Sequence, residues 1–222
     1  MVSIALDGPA GAGKSTIAKG LAKKLGFIYV DTGALYRAVG LKFLKLGYNT
    51  ELNCEIEPVL KDTKVDIRFT NGEQHVFLDG ADVNDKIRTS EVSMMASAVS
   101  AKPAVREYLL NMQRLLAEKN NVLMDGRDIG TVVLPGATLK FFVTASAEER
   151  ARRRVLDLKA VGEDADYEKV LEDIKTRDYN DSHREIAPLK PASDAVIYDT
   201  TGNTLEQSVD ELFEKINQGL KQ

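Results

Sequence analysis

One stretch of the sequence decides the fold: Gly8-Pro9-Ala10-Gly11-Ala12-Gly13-Lys14-Ser15-Thr16. It matches the pattern G-x-x-x-x-G-K-[ST] at every specified position, and it lies between a short apolar run and an amphipathic segment. Its glycines allow backbone conformations that turn several N–H groups inward, towards phosphate oxygens. A plain glycine-rich turn is the alternative, but such a turn needs neither Lys14 nor the Ser15 hydroxyl. The stretch therefore predicts a phosphate-binding loop at the start of a helix.

The residues of this loop have expected tasks. We predict that the stretch from Gly8 to Thr16 binds ATP, with Lys14 reaching the β- and γ-phosphates as a catalytic residue. The Ser15 hydroxyl would ligate Mg²⁺ together with phosphate oxygens and waters. Such a loop indicates a nucleoside triphosphate as one ligand, but the second substrate has to be inferred from other residues.

Short apolar runs alternate with amphipathic segments along the rest of the chain. The apolar runs lie at 2–6, 27–30, 121–124, 140–143 and 195–198, and helical segments lie at 34–46, 103–119, 147–158 and 204–220. Five short strands joined by helices predict a parallel sheet covered on both faces. The predicted fold class is therefore α/β, of the P-loop NTPase type.

One region breaks this rhythm. Residues 65–69 and 75–78 flank Asn71-Gly72, a pair typical of tight hairpin turns, and a third apolar piece follows around Val83. This pattern predicts a small antiparallel insert inside a single domain. The predicted division of residues 1–222 is a core at 1–47 and 102–222, an insert at about 48–101 and a short lid at about 155–166.

Composition limits the partners and the compartment. The 222 residues carry 30 Lys+Arg and 34 Asp+Glu, a net charge of -4, so no global basic field would recruit a nucleic acid polymer or an anionic membrane. Cys54 is the only cysteine, and the sequence has neither the Cys/His spacing of a zinc site nor a signal-peptide pattern. No apolar stretch approaches the roughly 20 residues of a membrane span. A cytoplasmic location fits these observations, and we expect a monomer whose partners are small molecules.

Three segments carry arginine where ligands of open parallel sheets collect, at strand ends and helix starts. They are Asp31-Thr32-Gly33-Ala34-Leu35-Tyr36-Arg37, Asp125-Gly126-Arg127-Asp128-Ile129-Gly130 and Arg177-Asp178-Tyr179-Asn180-Asp181-Ser182-His183-Arg184. In the third, Arg177, Asp181 and Arg184 at i, i+4 and i+7 are expected on one helix face. These groups suit a small anionic acceptor. The alternatives are a capped helix with a solvated arginine, a surface ion pair and a solvated helix face.

A fourth basic segment precedes a charged stretch that contains Gly162. Its arginines are Arg150, Arg152, Arg153 and Arg154. Phosphoryl transfer depends on positioning and on neutralising charge, so arginines on a mobile flap suit it. We predict Arg153 and Arg154 as catalytic residues on such a lid, with a solvated basic face as the alternative.

Five motifs occur in the order and approximate spacing of the bacterial cytidylate kinase family. They are GPAGAGKST at 8–16, DTGALYRA at 31–38, SAVSAKPAVRE at 97–107, DGRDIGTVV at 125–133 and TRDYNDSHR at 176–184. The chain resembles this family over nearly its whole length, including the insert. Thr32 stands where serine is also found in the family, and the hydroxyl is retained. The resemblance implies a nucleoside monophosphate kinase with five parallel strands, a monophosphate-binding insert and a lid, acting on CMP and dCMP with ATP and Mg²⁺.

The resemblance also implies the parts of an acceptor site. Arg37, Arg127 and Arg184 would hold the α-phosphate, Arg177 and Asp181 the ribose, and Ser97, Arg106 and Asp128 the cytosine, with Thr32 and Tyr36 lining the site. Hydrogen-bond chemistry agrees with this assignment, because the exocyclic amine of cytosine donates while its N3 and O2 accept. Uracil facing Asp128 would oppose two acceptors, at a cost of roughly 1 to 3 kcal/mol.

Two further questions stay open at the level of sequence. Either Asp31 or Asp125 would order magnesium-bound waters. Two other functions compete with a nucleotide kinase: a P-loop kinase for another small anion such as shikimate, and a nucleotide-binding regulatory switch. The guanine-reading N-K-x-D motif of the commonest such switches is absent.

Overall fold

The computed structural model describes residues 1–70, 72–160 and 162–221. The strands are β1 Ser3–Asp7, β2 Ile28–Asp31, β3 Val65–Thr70, β4 Glu73–Leu78, β5 Ala81–Asp82, β6 Val122–Asp125, β7 Leu139–Thr144 and β8 Val196–Asp199. The helices are α1 Lys14–Leu25, α2 Thr32–Lys45, α3 Ile56–Lys61, α4 Ser90–Ser100, α5 Pro103–Lys119, α6 Ala147–Ala160, α7 Tyr167–His183 and α8 Leu205–Gly219, with a π-helix at Ile129–Val133.

The main sheet has five parallel strands in the order β2-β6-β1-β7-β8, which confirms the predicted fold class. Four of these strands end one residue later than predicted, and in each the additional residue is an aspartate: Asp7, Asp31, Asp125 and Asp199. The apolar run stops before the aspartate, but the backbone remains extended through it. The carboxylates of β1, β2 and β6 therefore lie together at the carboxyl edge of the sheet.

The core lies on both faces of this sheet. Ile4 and Leu6 pack on one face against α1 and α8, whereas Ala5 between them packs on the other face against α5 and the π-helix. This alternation follows from the two-residue period of a strand. The helix α1 ends at Gly26, which has the left-handed φ of 68° that glycine adopts readily.

The predicted hairpin is present in the segment between α3 and α4. Strands β3 and β4 pair antiparallel, with Val65 opposite Leu78, and β5 adds a third strand. The third strand lies at Ala81–Asp82, just before Val83, and Asn71 lies outside the described residues. The apolar side chains of this small sheet share one core with α2, α4 and α5.

The connection after β6 was not predicted. Asp128 leads into a π-helix in which the Val133 N–H donates to the Asp128 carbonyl at 3.2 Å. Such wide turns are rare and frequently occur at functional sites. In the described part of the chain, no helix is long and apolar enough to cross a membrane.

Candidate active site

The glycines of the phosphate loop adopt the conformations that the sequence predicts. Gly8, Gly11 and Gly13 have φ values of 144°, 77° and 81°. A Cβ atom on Gly8 would lie 1.9 Å from the Val143 carbonyl oxygen, so the loop packs directly on β7. The loop therefore runs from the carboxyl end of β1 into the first turn of α1, where free N–H groups and the helix dipole favour anions.

Lys14 is buried, with 6% of its surface exposed. Its Nζ donates to the Pro9 carbonyl at 2.7 Å, which holds the side chain over the loop. Burial lowers the pKa of Lys14, and the positive charge of Arg127 lowers it further, whereas Asp125 and Asp7 raise it. The ammonium group thus sits between the loop and two strand-end carboxylates.

Ser15 and Thr32 both bind Asp125. The Ser15 hydroxyl donates to Asp125 Oδ2 at 2.7 Å, and the Thr32 hydroxyl donates to the Asp125 carbonyl at 2.7 Å. Burial raises the pKa of Asp125 to about 6, and the neighbouring Asp31 carboxylate raises it as well. An exposed hydroxyl beside a carboxylate is an oxygen donor set that fits Mg²⁺, which commonly takes one or two carboxylates together with phosphates.

Asp31 caps α2 and attracts two arginines. Its Oδ1 accepts the Ala34 N–H at 3.0 Å. Its Oδ2 lies 3.6 Å from Nη1 of Arg37 and 3.5 Å from Nη2 of Arg88. The sequence predicts Arg37 as a residue of the acceptor site, whereas it does not predict Arg88 there.

Asp128 lies between two guanidinium groups. Arg106 Nη2 contacts Asp128 Oδ2, and Arg184 Nη2 lies 3.5 Å from Oδ1. The Arg106 guanidinium is also 5.6 Å from the centroid of the Tyr36 ring. Burial raises the pKa of Asp128, and Arg106 opposes that shift. The structure therefore brings together four residues that the sequence assigned to one acceptor site.

Asp181 and Arg127 join α7 to the loop after β6. Arg127 Nε donates to Asp181 Oδ2 at 3.0 Å. Arg177, one turn earlier on α7, is half-buried, and its pKa is lowered to about 10 by desolvation and by the charge of Arg127. The prediction that Arg184 belongs to the same helix is wrong, because α7 ends at His183 and Arg184 has extended backbone angles. The residue still reaches Asp128, because the chain turns back at that point.

Several buried guanidinium nitrogens at this site lack a hydrogen-bond partner among the described residues. They are Nη1 of Arg37, Nε of Arg177 and Nη2 of Arg184. A buried donor without a partner costs about 1 to 3 kcal/mol, more when it is charged, so such groups indicate a place for a water, an ion or a ligand. An anion is the ligand that three guanidinium groups favour.

Ser97 lies on α4, and among the described residues it is linked to Arg106 through Ser100 and not to Asp128 directly. Its carbonyl accepts the Ser100 hydroxyl at 2.8 Å, and the Ser100 carbonyl accepts from Nη1 of Arg106 at 3.3 Å. The half-buried Ser97 side chain is therefore one turn away from the residue that anchors Arg106.

The arginines of α6 have different surroundings. Arg150 is buried and forms a bidentate ion pair with Asp178, at 3.0 and 2.6 Å. Arg153 donates to Glu149 and to Thr200, so it lies on the β8 side of the phosphate loop, and a Cβ atom on Gly13 would be 3.9 Å from its Nη1. Arg154 lines a cleft together with Arg88. The predicted lid at about 155–166 comprises the end of α6 and the connection to α7, and Val161 within it lies outside the described residues.

Sequence reasoning missed Asp7. Its carboxylate accepts the N–H groups of Ile129 and Gly130, each at 2.7 Å, and thereby fixes the start of the π-helix. Burial raises the pKa of Asp7 to about 6. The position of Asp7 in the sequence could have indicated its importance, because it directly precedes the phosphate loop at the end of β1.

A parallel sheet with a phosphate loop after β1, and a cluster of arginines beside that loop, together define a P-loop kinase. The cytidylate kinase family profile matches residues 4–218. The chain belongs to the cytidylate kinase family and is therefore a nucleoside monophosphate kinase.

Individual relatives agree with this assignment. A cytidylate kinase from Caldicellulosiruptor bescii is 55% identical over 218 residues, which cover 97% of this chain and 96% of the relative. One from Streptococcus equi subsp. equi is 47% identical over 215 residues, which cover 96% and 95% of the two chains. A solved structure of an uncharacterised protein from Eubacterium ventriosum matches with a TM-score of 0.54 and 12% identity, over 98% of this chain and 99% of that one. This last likeness concerns the fold alone.

Proposed function

We propose that this enzyme transfers the γ-phosphoryl group of ATP to CMP, and also to dCMP, in the presence of Mg²⁺. The single observation that carries the proposal is the set of buried guanidinium nitrogens, on Arg37, Arg177 and Arg184, that have no hydrogen-bond partner among the described residues. Arg127, which is bound to Asp181 on the acceptor side, lowers the pKa of Lys14, and this effect supports a close approach of the two anion-binding regions. The pairing of a triphosphate with a smaller anion is what a monophosphate kinase requires.

The donor side rests on the phosphate loop, from Gly8 to Thr16. Inward-facing N–H groups and the start of α1 would hold the triphosphate, and Lys14 would neutralise charge on the transferred group. Ser15 would ligate Mg²⁺, and the adjacent Asp125 would hold a metal-bound water. The ion would supply charge neutralisation at the phosphates. We favour Asp125 over Asp31 for this task because Asp31 already caps α2 and attracts two arginines.

The acceptor side rests on the groups around Asp128 and Asp181. Arg37, Arg127 and Arg184 would take the α-phosphate, while Arg177 and Asp181 would face the ribose. Asp128 would accept from the exocyclic amine of cytosine, with Arg106 and Ser97 beside it. The fixed position of Asp128 between Arg106 and Arg184 supports this assignment, because a carboxylate so held cannot turn away from a mismatched base.

The proposed reaction is a direct in-line displacement without a covalent enzyme intermediate. A phosphate monoester is already ionised near neutral pH, so no side chain needs to remove a proton from it. The protein would contribute positioning and charge, through Lys14 and the acceptor arginines. Arg153 and Arg154 would join them from α6. Arg153 lies beside the phosphate loop, because a Cβ atom on Gly13 would be 3.9 Å from its Nη1. We place the enzyme in the cytoplasm, where its nucleotide substrates occur.

One parallel assay tests this function. ADP release from ATP is measured with CMP, dCMP, UMP, AMP and shikimate, each with and without Mg²⁺. We expect fast release with CMP and dCMP, slow release with UMP and AMP, and little without Mg²⁺. Acceleration by shikimate instead of CMP would indicate a kinase for another small anion. No acceleration by any acceptor would favour a regulatory switch.

A further inference from the structure

The Tyr29 side chain on β2 lies inside the protein with an unpaired hydroxyl. Only 9% of Tyr29 is exposed, and its hydroxyl oxygen has no hydrogen-bond partner among the described residues. A buried tyrosine hydroxyl usually has a partner, because an unpaired polar group in the interior destabilises the fold. Neither the donor region nor the acceptor region described above uses this hydroxyl. The packing of the protein alone therefore does not explain why a tyrosine stands at this position.

The register of the sheet places Tyr29 on the same face as Asp125. In the parallel pairing of β2 with β6, Tyr29 lies opposite Leu123, and Asp31 lies opposite Asp125. Tyr29 and Leu123 both pack in the core between the sheet and α1. Because side chains alternate along a strand, Asp125, two residues after Leu123, points to that same face. Diagonal neighbours on adjacent strands are within reach of an aromatic side chain.

Helix α1 covers Tyr29 with the face that carries Ser15. Lys19 follows Ser15 by four residues and therefore lies on the same side of α1, and its Nζ is 5.9 Å from the centroid of the Tyr29 ring. Burial raises the pKa of Tyr29, the Asp125 carboxylate raises it further, and the Ser15 hydroxyl lowers it, as expected for close neighbours. The Tyr29 hydroxyl thus lies beside the hydrogen bond from Ser15 to Asp125 without taking part in it.

We propose that Tyr29 is a positioning residue for Asp125 in the complex with Mg²⁺ and ATP. In that complex the Tyr29 hydroxyl donates a hydrogen bond to the Asp125 carboxylate and fixes the direction of the oxygens that hold a metal-bound water. A carboxylate can accept several hydrogen bonds, so Tyr29 adds to the bond from Ser15 and does not replace it. Hydrogen bonds from outside a metal site orient the groups that bind the ion. This inference rests on the proposed function, since it takes Asp125 as the residue that orders the water.

Tyr29→Phe tests the proposal, with Tyr198→Phe as the matched control. Each substitution removes one hydroxyl from a buried tyrosine, but the Tyr198 hydroxyl donates to Glu211 at 2.9 Å. ATP binding is measured by calorimetry at a fixed Mg²⁺ concentration and again in EDTA. We expect Tyr29→Phe to weaken binding with Mg²⁺ by about tenfold to a hundredfold, as for other residues that orient metal-binding groups, and to leave binding in EDTA unchanged. Tyr198→Phe should bind ATP like wild type under both conditions.

Urea unfolding of the ligand-free proteins separates this role from a structural one. Because the Tyr29 hydroxyl is unpaired, its removal should leave the unfolding midpoint at or above that of wild type. Removal of the Tyr198 hydroxyl breaks a hydrogen bond and should lower the midpoint. A lower midpoint for Tyr29→Phe would assign its hydroxyl to a structural hydrogen bond and overturn the proposal.

The binding data can also overturn the proposal. Wild-type ATP binding by Tyr29→Phe in Mg²⁺ would exclude the positioning role, and so would equal weakening in Mg²⁺ and in EDTA. Both results would leave the proposed function intact. If the wild-type protein bound ATP no better with Mg²⁺ than in EDTA and did not phosphorylate CMP, the proposed function would fail together with this inference.

Discussion

The Ser15 hydroxyl donates a hydrogen bond of 2.7 Å to Asp125 Oδ2 across 110 positions of sequence. Ser15 lies in the first turn of α1, at the end of the phosphate loop, and Asp125 ends β6 immediately before the loop that carries Arg127 and Asp128. Because β1 and β6 are neighbours in the parallel sheet, their carboxyl ends bring the two loops together. This hydrogen bond therefore joins the proposed donor region to the proposed acceptor region.

Lys14→Met should abolish turnover while the protein remains folded. Methionine retains most of the buried stem but removes the charge that would stabilise the transferred phosphoryl group, so we expect kcat to fall by about a hundredfold or more. Steady-state assays of ADP release measure this change. Lys23→Met, an exposed lysine in the last turn of α1, is the control and should remain active. Wild-type turnover by Lys14→Met would contradict the assigned role.

Gly8→Ala should destabilise the protein strongly. The backbone φ of Gly8 is 144°, and a Cβ atom would lie 1.9 Å from the Val143 carbonyl oxygen, so the loop or β7 has to shift. We expect a loss of at least about 2 kcal/mol in the free energy of unfolding, measured with urea, together with loss of ATP binding. Gly136→Ala is the matched control because a Cβ atom there has no neighbour within 4 Å. That variant should lie within about 0.5 kcal/mol of wild type.

The strand order and the phosphate loop were predictable because their signals are local. Apolar runs define the strands of the main sheet, and the glycine pattern defines the loop. The π-helix was not predictable, because its start depends on the Asp7 carboxylate, 122 positions before Ile129. The sequence also does not predict that Arg150 and Arg153 have different surroundings, because both are arginines of the same basic segment. Only the three-dimensional positions of Asp178 and Thr200 distinguish them.

Asp128→Asn should weaken the preference for CMP over UMP. An amide in place of the carboxylate offers both a donor and an acceptor, so the uracil carbonyl no longer faces an obligatory acceptor. The ratio of kcat/KM for CMP to that for UMP should fall by about tenfold to a hundredfold. Measuring both substrates in parallel separates base selection from the general damage caused by leaving Arg106 and Arg184 without their carboxylate. An unchanged ratio would remove Asp128 from base recognition.

Arg150→Met should destabilise the protein, whereas Arg152→Met should not. Arg150 is buried, pairs with Asp178 through both nitrogens and donates to the Ala145 and Ala10 carbonyls. Removing it leaves a partly buried carboxylate and two carbonyls without that partner, at a cost of about 3 kcal/mol. Arg152 is exposed, and within the described part of the chain it pairs with Glu149 alone, so its loss should cost less than about 1 kcal/mol. Urea unfolding of both variants measures the difference, and equal stability of the two would contradict a structural role for Arg150.

Asp7→Asn should show a pH-dependent loss of stability. Because burial raises the pKa of Asp7 from 3.8 to about 6, the folded protein binds a proton that the unfolded chain has released between these pH values. The contribution of the Asp7 carboxyl to the free energy of unfolding therefore falls as pH rises between these two pKa values, by at most about 3 kcal/mol. At higher pH this contribution stays constant. The asparagine does not titrate. The advantage of wild type over Asp7→Asn should thus shrink from pH 4 to pH 6.5 in urea unfolding.

The exposed Asp82 supplies a control of opposite sign. A hydrogen bond from the Asn84 N–H, followed by the His75 side chain, lowers the pKa of Asp82, so its ionised form is favoured in the folded protein. The advantage of wild type over Asp82→Asn should therefore grow as pH rises through the unfolded pKa of this carboxyl. A pH-independent difference for Asp7→Asn, or the same direction for both variants, would show that burial does not control the ionisation of Asp7.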